Sequence, residues 1–207
     1  MKKFSYFTVF FCIGIIVASL IYLSVIVYET DGIYSGVIRL HVLANSDNED
    51  DQTLKLSVRD ALLEYFGDSD DAKNLDDATR FILENKDEIE RVAEERIKDE
   101  GYSYGAKVSL VKEYYPTREY EGARLPAGTY LSLKVEIGSA EGKNWWCVLY
   151  PPLCTGSAEA SEELSEAGFS TNQIKLITDN EDRGYTLKFR IAETLSSVAN
   201  KLKKLFR

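Results

Sequence analysis

The sequence contains few of the residue types from which catalytic and metal sites are most often built. Among 207 residues it has a single histidine, His41, and only three cysteines. The HExxH, Walker A and GxGxxG motifs are absent. A zinc protease, a P-loop nucleotidase and a dinucleotide-binding fold are therefore not indicated. His41 is the one candidate for a histidine general base, and the sequence predicts no metal and no cofactor.

Acidic side chains outnumber basic ones. The formal net charge is −9, and residues 47–100 carry 19 Asp or Glu side chains against 8 Lys or Arg. An acidic surface of this kind repels the phosphates of DNA and RNA. Nucleic acid is therefore excluded as a predicted partner.

One long apolar run stands at the N-terminus. After Lys2 and Lys3, no charged side chain occurs from Phe4 to Tyr28. About 20 helical residues cross the core of a bilayer, whereas the apolar region of a cleaved signal peptide is about 7–15 residues long. We predict that residues 1–30 form an uncleaved signal-anchor, with a cleaved signal peptide as the alternative. In either case the rest of the chain lies outside the cytoplasm.

The remaining sequence changes its periodicity once. In residues 37–44 every second side chain is apolar, which predicts a strand. Three segments with helical periodicity follow, and they end at Gly67, near Asn85 and near Gly101. The period then becomes two, and strands are predicted at residues 106–115, 130–138 and 145–150. The order β-α-α-α-β-β-β indicates one exported α+β domain, residues 31–156, with a mostly antiparallel sheet.

The first strand and the corner after it, "VIRLHVLANSD", contain the most informative residues. Arg39 and His41 lie opposite the uniformly apolar side of the strand, so we expect them on an exposed face. Asn45, Ser46 and Asp47 are typical helix-start residues and are predicted to cap the next helix. The same corner, together with Arg39 and His41, is also a candidate surface for binding a partner. A structural role for His41 remains open beside recognition and catalysis.

The cysteines favour a disulfide. Cys147 and Cys154 frame "CVLYPPLC" in the exported part of the chain, where oxidation is expected, and Cys12 lies in the apolar run. We predict a Cys147–Cys154 disulfide, with two free thiols or a metal site as the alternatives. If Cys147 is reduced, it could serve as the nucleophile of a hydrolase with His41 as its base.

Two adjacent tryptophans precede Cys147. Trp145 and Trp146 face opposite sides of the predicted strand, because successive side chains of a strand alternate. One of them is expected in the core. The other is either covered by the Pro-Pro loop or exposed as an aromatic anchor for a partner.

Three blocks of the sequence resemble the stage II sporulation protein R family of endospore-forming bacteria. They are "VIRLHVLANSDNEDDQTLKLSVRDALL", "YPTREYEGARLPAGTYLSLKVEIG" and "GKNWWCVLYPPLC". The blocks extend from Val37 to Cys154 in the order and spacing typical of the family, and the third is the most specific. This resemblance supplies no catalytic residue to assign here.

The resemblance implies an exported signalling protein that is not itself an enzyme. Such a protein is made in the forespore and acts in the space between the forespore and mother-cell membranes. There it activates a membrane-bound aspartic protease of the mother cell, which processes the sigma-E precursor. No small-molecule substrate is implied. The residues themselves leave open a cysteine hydrolase, or a domain that binds the cell wall or a membrane surface.

The last segment, residues 157–207, is predicted to be a polar linker followed by a basic amphipathic helix, and within the linker Ser157 to Gly168 is either a solvated segment or a short helix. "IAETLSSVANKLKKLFR" has one apolar face, and four of its last seven residues are Lys or Arg. A helix of this type either docks on the core or lies on an anionic membrane. Both possibilities remain open at this point.

Overall fold

A computed structural model describes residues 2–67, 74–120, 122–153, 160–178 and 194. The helices are α1 Lys2–Ser35, α2 Glu49–Gly67, α3 Leu75–Glu84, α4 Lys86–Asp99, α5 Ala160–Glu166 and α6 Thr171–Thr178. The strands are β1 Ile38–Leu43, β2 Ala106–Tyr115, β3 Arg118–Tyr120, β4 Ala123–Leu125, β5 Gly128–Ile137 and β6 Asn144–Tyr150. Cys154 and, apart from residue 194, the predicted C-terminal amphipathic helix lie outside the described residues, as does "YTLKFR", whose composition predicts a short strand.

A four-stranded sheet in the order β2-β5-β1-β6 forms the centre of the domain. β1 is parallel to β5, and the β2–β5 and β1–β6 pairs are antiparallel. The predicted α+β class and mostly antiparallel sheet are therefore confirmed. The short hairpin β3–β4 occupies a segment that the sequence predicted as turns, because its strands have only three residues each.

Helices α2, α3 and α4 cover one face of the sheet. The apolar side of β1 contributes Leu40 and Val42 to this core, which also contains Val58 of α2 and Ile97 of α4. The interruption near Asn85 is confirmed. Asn74 caps α3 as its spacing suggests, since its side-chain oxygen accepts a hydrogen bond from the backbone of Asp77 at 2.9 Å.

A second layer covers part of the opposite face. It consists of the end of α1, the β3–β4 hairpin, α5 and α6. Phe169, Leu164 and Ile177 are buried in it, so residues 160–178 pack against the domain and are not a solvated linker. The polar side of β1 faces this layer, which explains why its residues are not exposed.

Helix α1 runs from the apolar N-terminal segment directly into this second layer. Tyr6–Ser35 is the one helix of the described chain that is long and apolar enough to cross a membrane, and a signal sequence has the same properties. Its last turns belong to the domain: Ile33 is fully buried, and the Tyr34 hydroxyl donates to the carbonyl of Ala127 at 2.9 Å. The helix therefore ends at Ser35, five residues beyond the predicted boundary at residue 30.

Candidate functional site

His41 is the centre of a polar cluster on the second face of the sheet. Its Nδ1 lies 2.9 Å from Glu113 Oε1, and its Nε2 lies 2.7 Å from Asn144 Oδ1. The imidazole packs against the rings of Tyr115 and Trp146 and is only 7% exposed. The expected exposure of His41 is therefore wrong. Both ring nitrogens are engaged, so neither is free to act as a base toward a substrate.

Glu113 links this histidine to a buried hydroxyl pair. The Tyr115 hydroxyl lies 2.6 Å from Ser132 Oγ and donates to Glu113 at 3.2 Å. Burial by itself raises the pKa of Glu113, but hydrogen bonds from His41 and Ser132 outweigh it, and the net pKa is below the usual value. Burial raises the pKa of the Tyr115 hydroxyl well above its usual range. The arrangement holds a carboxylate and a neutral phenol in fixed positions.

Arg39 is fully buried next to this cluster, which also contradicts its expected exposure. Its Nε donates to the carbonyl oxygen of Cys147 at 2.9 Å, and its Nη2 donates to the hydroxyl of Tyr120. The guanidinium carbon lies 4.2 Å from the ring centre of Tyr115 and 5.0 Å from that of Tyr130. Within the described chain, no carboxylate forms an ion pair with it. Aromatic faces and neutral acceptors stabilise this charge instead.

The corner after β1 is built around a buried carboxylate that the sequence did not single out. Asp51 accepts hydrogen bonds from Asn45 Nδ2 at 2.9 Å and from Ser46 Oγ at 2.6 Å. Burial raises the pKa of Asp51, but these donors outweigh it and lower the net pKa. The residue that caps α2 is Asn48, whose Oδ1 accepts from the Asp51 backbone at 2.6 Å. The predicted cap at residues 45–47 is therefore wrong by one to three positions.

The loop between β5 and β6 closes over the same corner. Asn45 Oδ1 accepts a hydrogen bond from the backbone of Ser139 at 2.9 Å. Gly138 has φ +56°, and a Cβ atom there would lie 2.3 Å from Asn45 Oδ1. Glycine is needed at this position both for the backbone conformation and for the close approach. Asn45 and Ser46 thus hold the corner together, whereas Asp47 is exposed.

The two tryptophans lie on opposite faces of β6, as the alternation predicts. Trp145 packs with the helix-side core and Trp146 with the second layer, and each is half-buried. An arginine covers each ring. The guanidinium carbon of Arg59 lies 4.8 Å from the ring centre of Trp145, and that of Arg118 lies 4.2 Å from the ring centre of Trp146. Neither ring is a fully exposed anchor. Their role in binding a partner stays a prediction.

The hydrolase alternative is contradicted by the sheet. Cys147 pairs with Leu40 and is buried in the helix-side core, whereas His41 faces the second layer. The two side chains lie on opposite faces of the sheet, so they cannot form a nucleophile–base pair. The disulfide between Cys147 and Cys154 stays a prediction, because Cys154 lies outside the described residues.

A GxSxG motif that the sequence analysis did not consider is present in the chain, but its place in the fold does not suit a nucleophile. Residues 101–105, Gly-Tyr-Ser-Tyr-Gly, have the spacing of a GxSxG nucleophile motif. They connect helix α4 to strand β2, whereas a nucleophile elbow connects a strand to a helix. Both ring nitrogens of the sole histidine already have other partners. Ser103 therefore lacks the strand-to-helix setting and the base that a serine nucleophile requires.

Comparison with known proteins agrees with the resemblance of the three sequence blocks. The model of the family described as stage II sporulation protein R matches residues 34–160, which include β1, the corner, the polar cluster and β6. The chain belongs to the stage II sporulation protein R family. It is 35% identical over 147 residues to stage II sporulation protein R of Bacillus subtilis, strain 168. That alignment covers 69% of this chain and 66% of the relative, just under two thirds of its length.

No solved structure matches this family member significantly. The family match begins at residue 34, inside the buried end of α1, and ends at residue 160, at the start of α5. The matched region thus contains the whole sheet and the helices of its first face. Residues Glu113, Tyr115 and Tyr120, which the sequence did not single out, lie in the same region.

Proposed function

We propose that this protein is an exported sporulation signal that activates a membrane-bound aspartic protease in the neighbouring mother cell. The protease would then remove the pro-sequence of the sigma-E precursor. The observation that carries this proposal is membership of the stage II sporulation protein R family across the sheet domain. The apolar helix α1 is consistent with export, and we propose the space between the forespore and mother-cell membranes as the location.

The chemistry of the polar cluster supports a binding role over an enzymatic one. His41 is held by Glu113 and Asn144, and Cys147 lies on the other face of the sheet. The buried arginine is enclosed by tyrosines and by neutral acceptors. These groups are arranged to keep the second face of the sheet in one conformation. We therefore propose that the protein acts by contact and does not catalyse the cleavage itself.

Activation by contact has an energetic requirement. The signal must bind the active form of the receptor more tightly than the inactive form, because equal affinity for both shifts no population. A tenfold shift toward the active form requires about 1.4 kcal/mol of differential binding. A few well-placed contacts supply this amount, so a small interface suffices.

Reconstitution in a non-sporulating bacterial host tests the proposal. The full chain is co-expressed with the membrane-bound aspartic protease and the sigma-E precursor, and precursor cleavage is followed by immunoblot. We expect cleavage only when all three proteins are present. The matched control replaces the catalytic aspartate of the protease by asparagine, and cleavage should then disappear.

Two results would overturn the proposal. Cleavage that persists with the inactive protease would mean that this chain, or a host enzyme, cuts the precursor. Absence of cleavage with all three intact proteins, each detected in the exported or membrane fraction, would mean that the chain is not an activating signal.

A further inference from the structure

Strand β2 is an edge strand of the sheet, and side chains of α4 already bond to the first of its outward-facing backbone N–H groups. The ladder with β5 runs without a register shift from Ala106 opposite Ile137 to Tyr115 opposite Gly128. Gly105 accepts from the backbone of Gly138, so the odd-numbered residues of β2 direct their backbone groups toward β5. The even-numbered residues direct theirs outward.

Two carboxylates of α4 satisfy the first outward donors. Glu90 Oε2 accepts from the backbone N–H of Val108 at 2.9 Å, and Glu94 Oε1 is 3.4 Å from that of Ala106. Side chains that bond to an edge strand in this way prevent another strand from pairing there. The protection stops at Val108, because α4 does not extend along the rest of the strand.

The other half of the edge is open. Within the described chain, no hydrogen bond reaches the outward backbone N–H groups of Leu110, Lys112 and Tyr114. At about 3.4 Å per residue, the open stretch from Leu110 to Tyr114 is about 14 Å long. That length matches a typical short strand. An unprotected edge of this kind is a template for pairing with another chain.

The side chains along this stretch define what would fit. Leu110 is half-buried, Lys112 is exposed and Tyr114 is 65% exposed, and all three point to the same face. Directly opposed cross-strand pairs favour an acidic residue across from a lysine and apolar residues across from leucine and tyrosine. The complementary strand therefore has an acidic residue with an apolar residue two positions to either side.

A second copy of this chain fits less well. In an antiparallel two-fold pairing, the arrangement that uses all five open residues is centred on Lys112. It would place Lys112 directly opposite Lys112 of the second copy, which is destabilising. A pairing centred on residue 111 would need the backbone N–H of Val108, and that N–H already donates to Glu90.

The open stretch of β2 lies at the end of the sheet that meets helix α1. Tyr115, next to the exposed Tyr114, pairs with Gly128, and the ring of Tyr34 at the end of α1 packs directly on Gly128. The open half of β2 is thus the half nearest to the apolar helix.

We propose that the edge of β2 from Leu110 to Tyr114 is a strand-addition site for an extended segment of the receptor that carries an acidic residue between two apolar ones. This inference rests on the proposed function for the identity of the partner. Main-chain hydrogen bonds supply the affinity in such pairing, and the alternating side chains supply the specificity.

Proline at position 112 tests the backbone pairing. Lys112→Pro removes an outward N–H and leaves the ladder to β5 intact, because proline is tolerated where the N–H faces solvent. In the co-expression assay we expect precursor cleavage to fall at least about tenfold, since the partner's carbonyl loses its donor. Lys112→Gln keeps the N–H and should lose less. Lys107→Gln, at an exposed lysine whose backbone faces β5, is the matched control and should be unchanged.

Photo-cross-linking gives a second readout that does not depend on the proline variant folding. Benzoylphenylalanine is placed at Tyr114, or at the exposed Leu83 of α3 as a control, in the otherwise unchanged chain. We expect a cross-link to the receptor from position 114 and none from position 83.

The outcomes separate this inference from the proposed function. If the unchanged chain fails to trigger cleavage, the proposed function fails. If it triggers cleavage but a folded Lys112→Pro chain does so equally, the strand-addition site is refuted alone. Cross-linking from position 83 and not from 114 would refute it as well, whatever the proline variant does.

Discussion

At the scale of single residues, Arg39 is the most unusual feature of this protein. A buried charge without a carboxylate partner is rare, because desolvation of an ion costs several kcal/mol. Here the cost is offset by cation–π contacts with tyrosine rings and by hydrogen bonds to Cys147 and Tyr120. Arg39 also joins the sheet to the β3–β4 hairpin, since Tyr120 lies on β3.

The contacts of the Arg39 guanidinium with the tyrosine rings predict an order of stabilities at position 39. Arg39→Lys should destabilise the domain by about 3–5 kcal/mol, because a buried ammonium cannot stack and retains unsatisfied donors. Arg39→Met should cost less, about 1–3 kcal/mol, since it mainly leaves two acceptors without a donor. Urea denaturation of the three proteins measures the difference. A lysine variant as stable as the parent would show that charge, and not planarity, is what the site requires.

At the scale of secondary-structure elements, the corner between β1 and α2 separates three roles that the sequence could not distinguish. Asn48 caps the helix through its side chain, and Asp51 receives the donors of Asn45 and Ser46. Asp47, between them, is exposed. The polar residues of one short segment thus belong to the cap, to a buried network and to the surface.

Alanine substitutions should resolve these roles. Asn48→Ala is expected to lower the free energy of unfolding by about 1 kcal/mol through loss of the cap. Asp47→Ala should change it by less than about 0.5 kcal/mol, as is usual for an exposed side chain. Urea titration of both variants gives the comparison. Equal losses for both would indicate that the cap is shared between the two positions.

At the scale of the whole molecule, α1 couples the apolar N-terminal segment to the folded domain. Glu29 receives hydrogen bonds from Ser170 and Asn172, and Gln173 donates to its carbonyl at 3.3 Å. Ile33 is fully buried in the second layer. The segment that follows the apolar run is therefore part of the fold and not a free tether.

This coupling predicts where the chain can be shortened. A chain that starts at Glu29 should keep the stability of the domain. A chain that starts at Val37 loses the burial of Ile33, about 1.5–3 kcal/mol, and the Tyr34 hydrogen bond, about 1 kcal/mol. Chemical denaturation of the two purified chains tests this. If both unfold at the same denaturant concentration, the end of α1 contributes nothing to the domain.

The local patterns of the sequence determined most of the elements. The change of period after Gly101 located β2, and the alternation of Trp145 and Trp146 placed their rings on opposite faces of β6. The apolar side of β1 was correctly predicted as the core side. These features depend on backbone periodicity, which neighbouring residues are enough to reveal. The three sequence blocks likewise identified the family.

Only the tertiary structure decided the environment of the polar side of β1. Arg39 and His41 alternate with apolar residues, a pattern typical of a solvated face, yet α1, the β3–β4 hairpin and residues 160–178 cover that side. Their partners Glu113, Tyr120 and Asn144 are more than 70 residues away along the chain. The periodicity of a sequence shows which side chains share a face. It does not show what packs on that face, because burial depends on contacts between segments that are distant in the sequence, and these contacts form only when the chain folds.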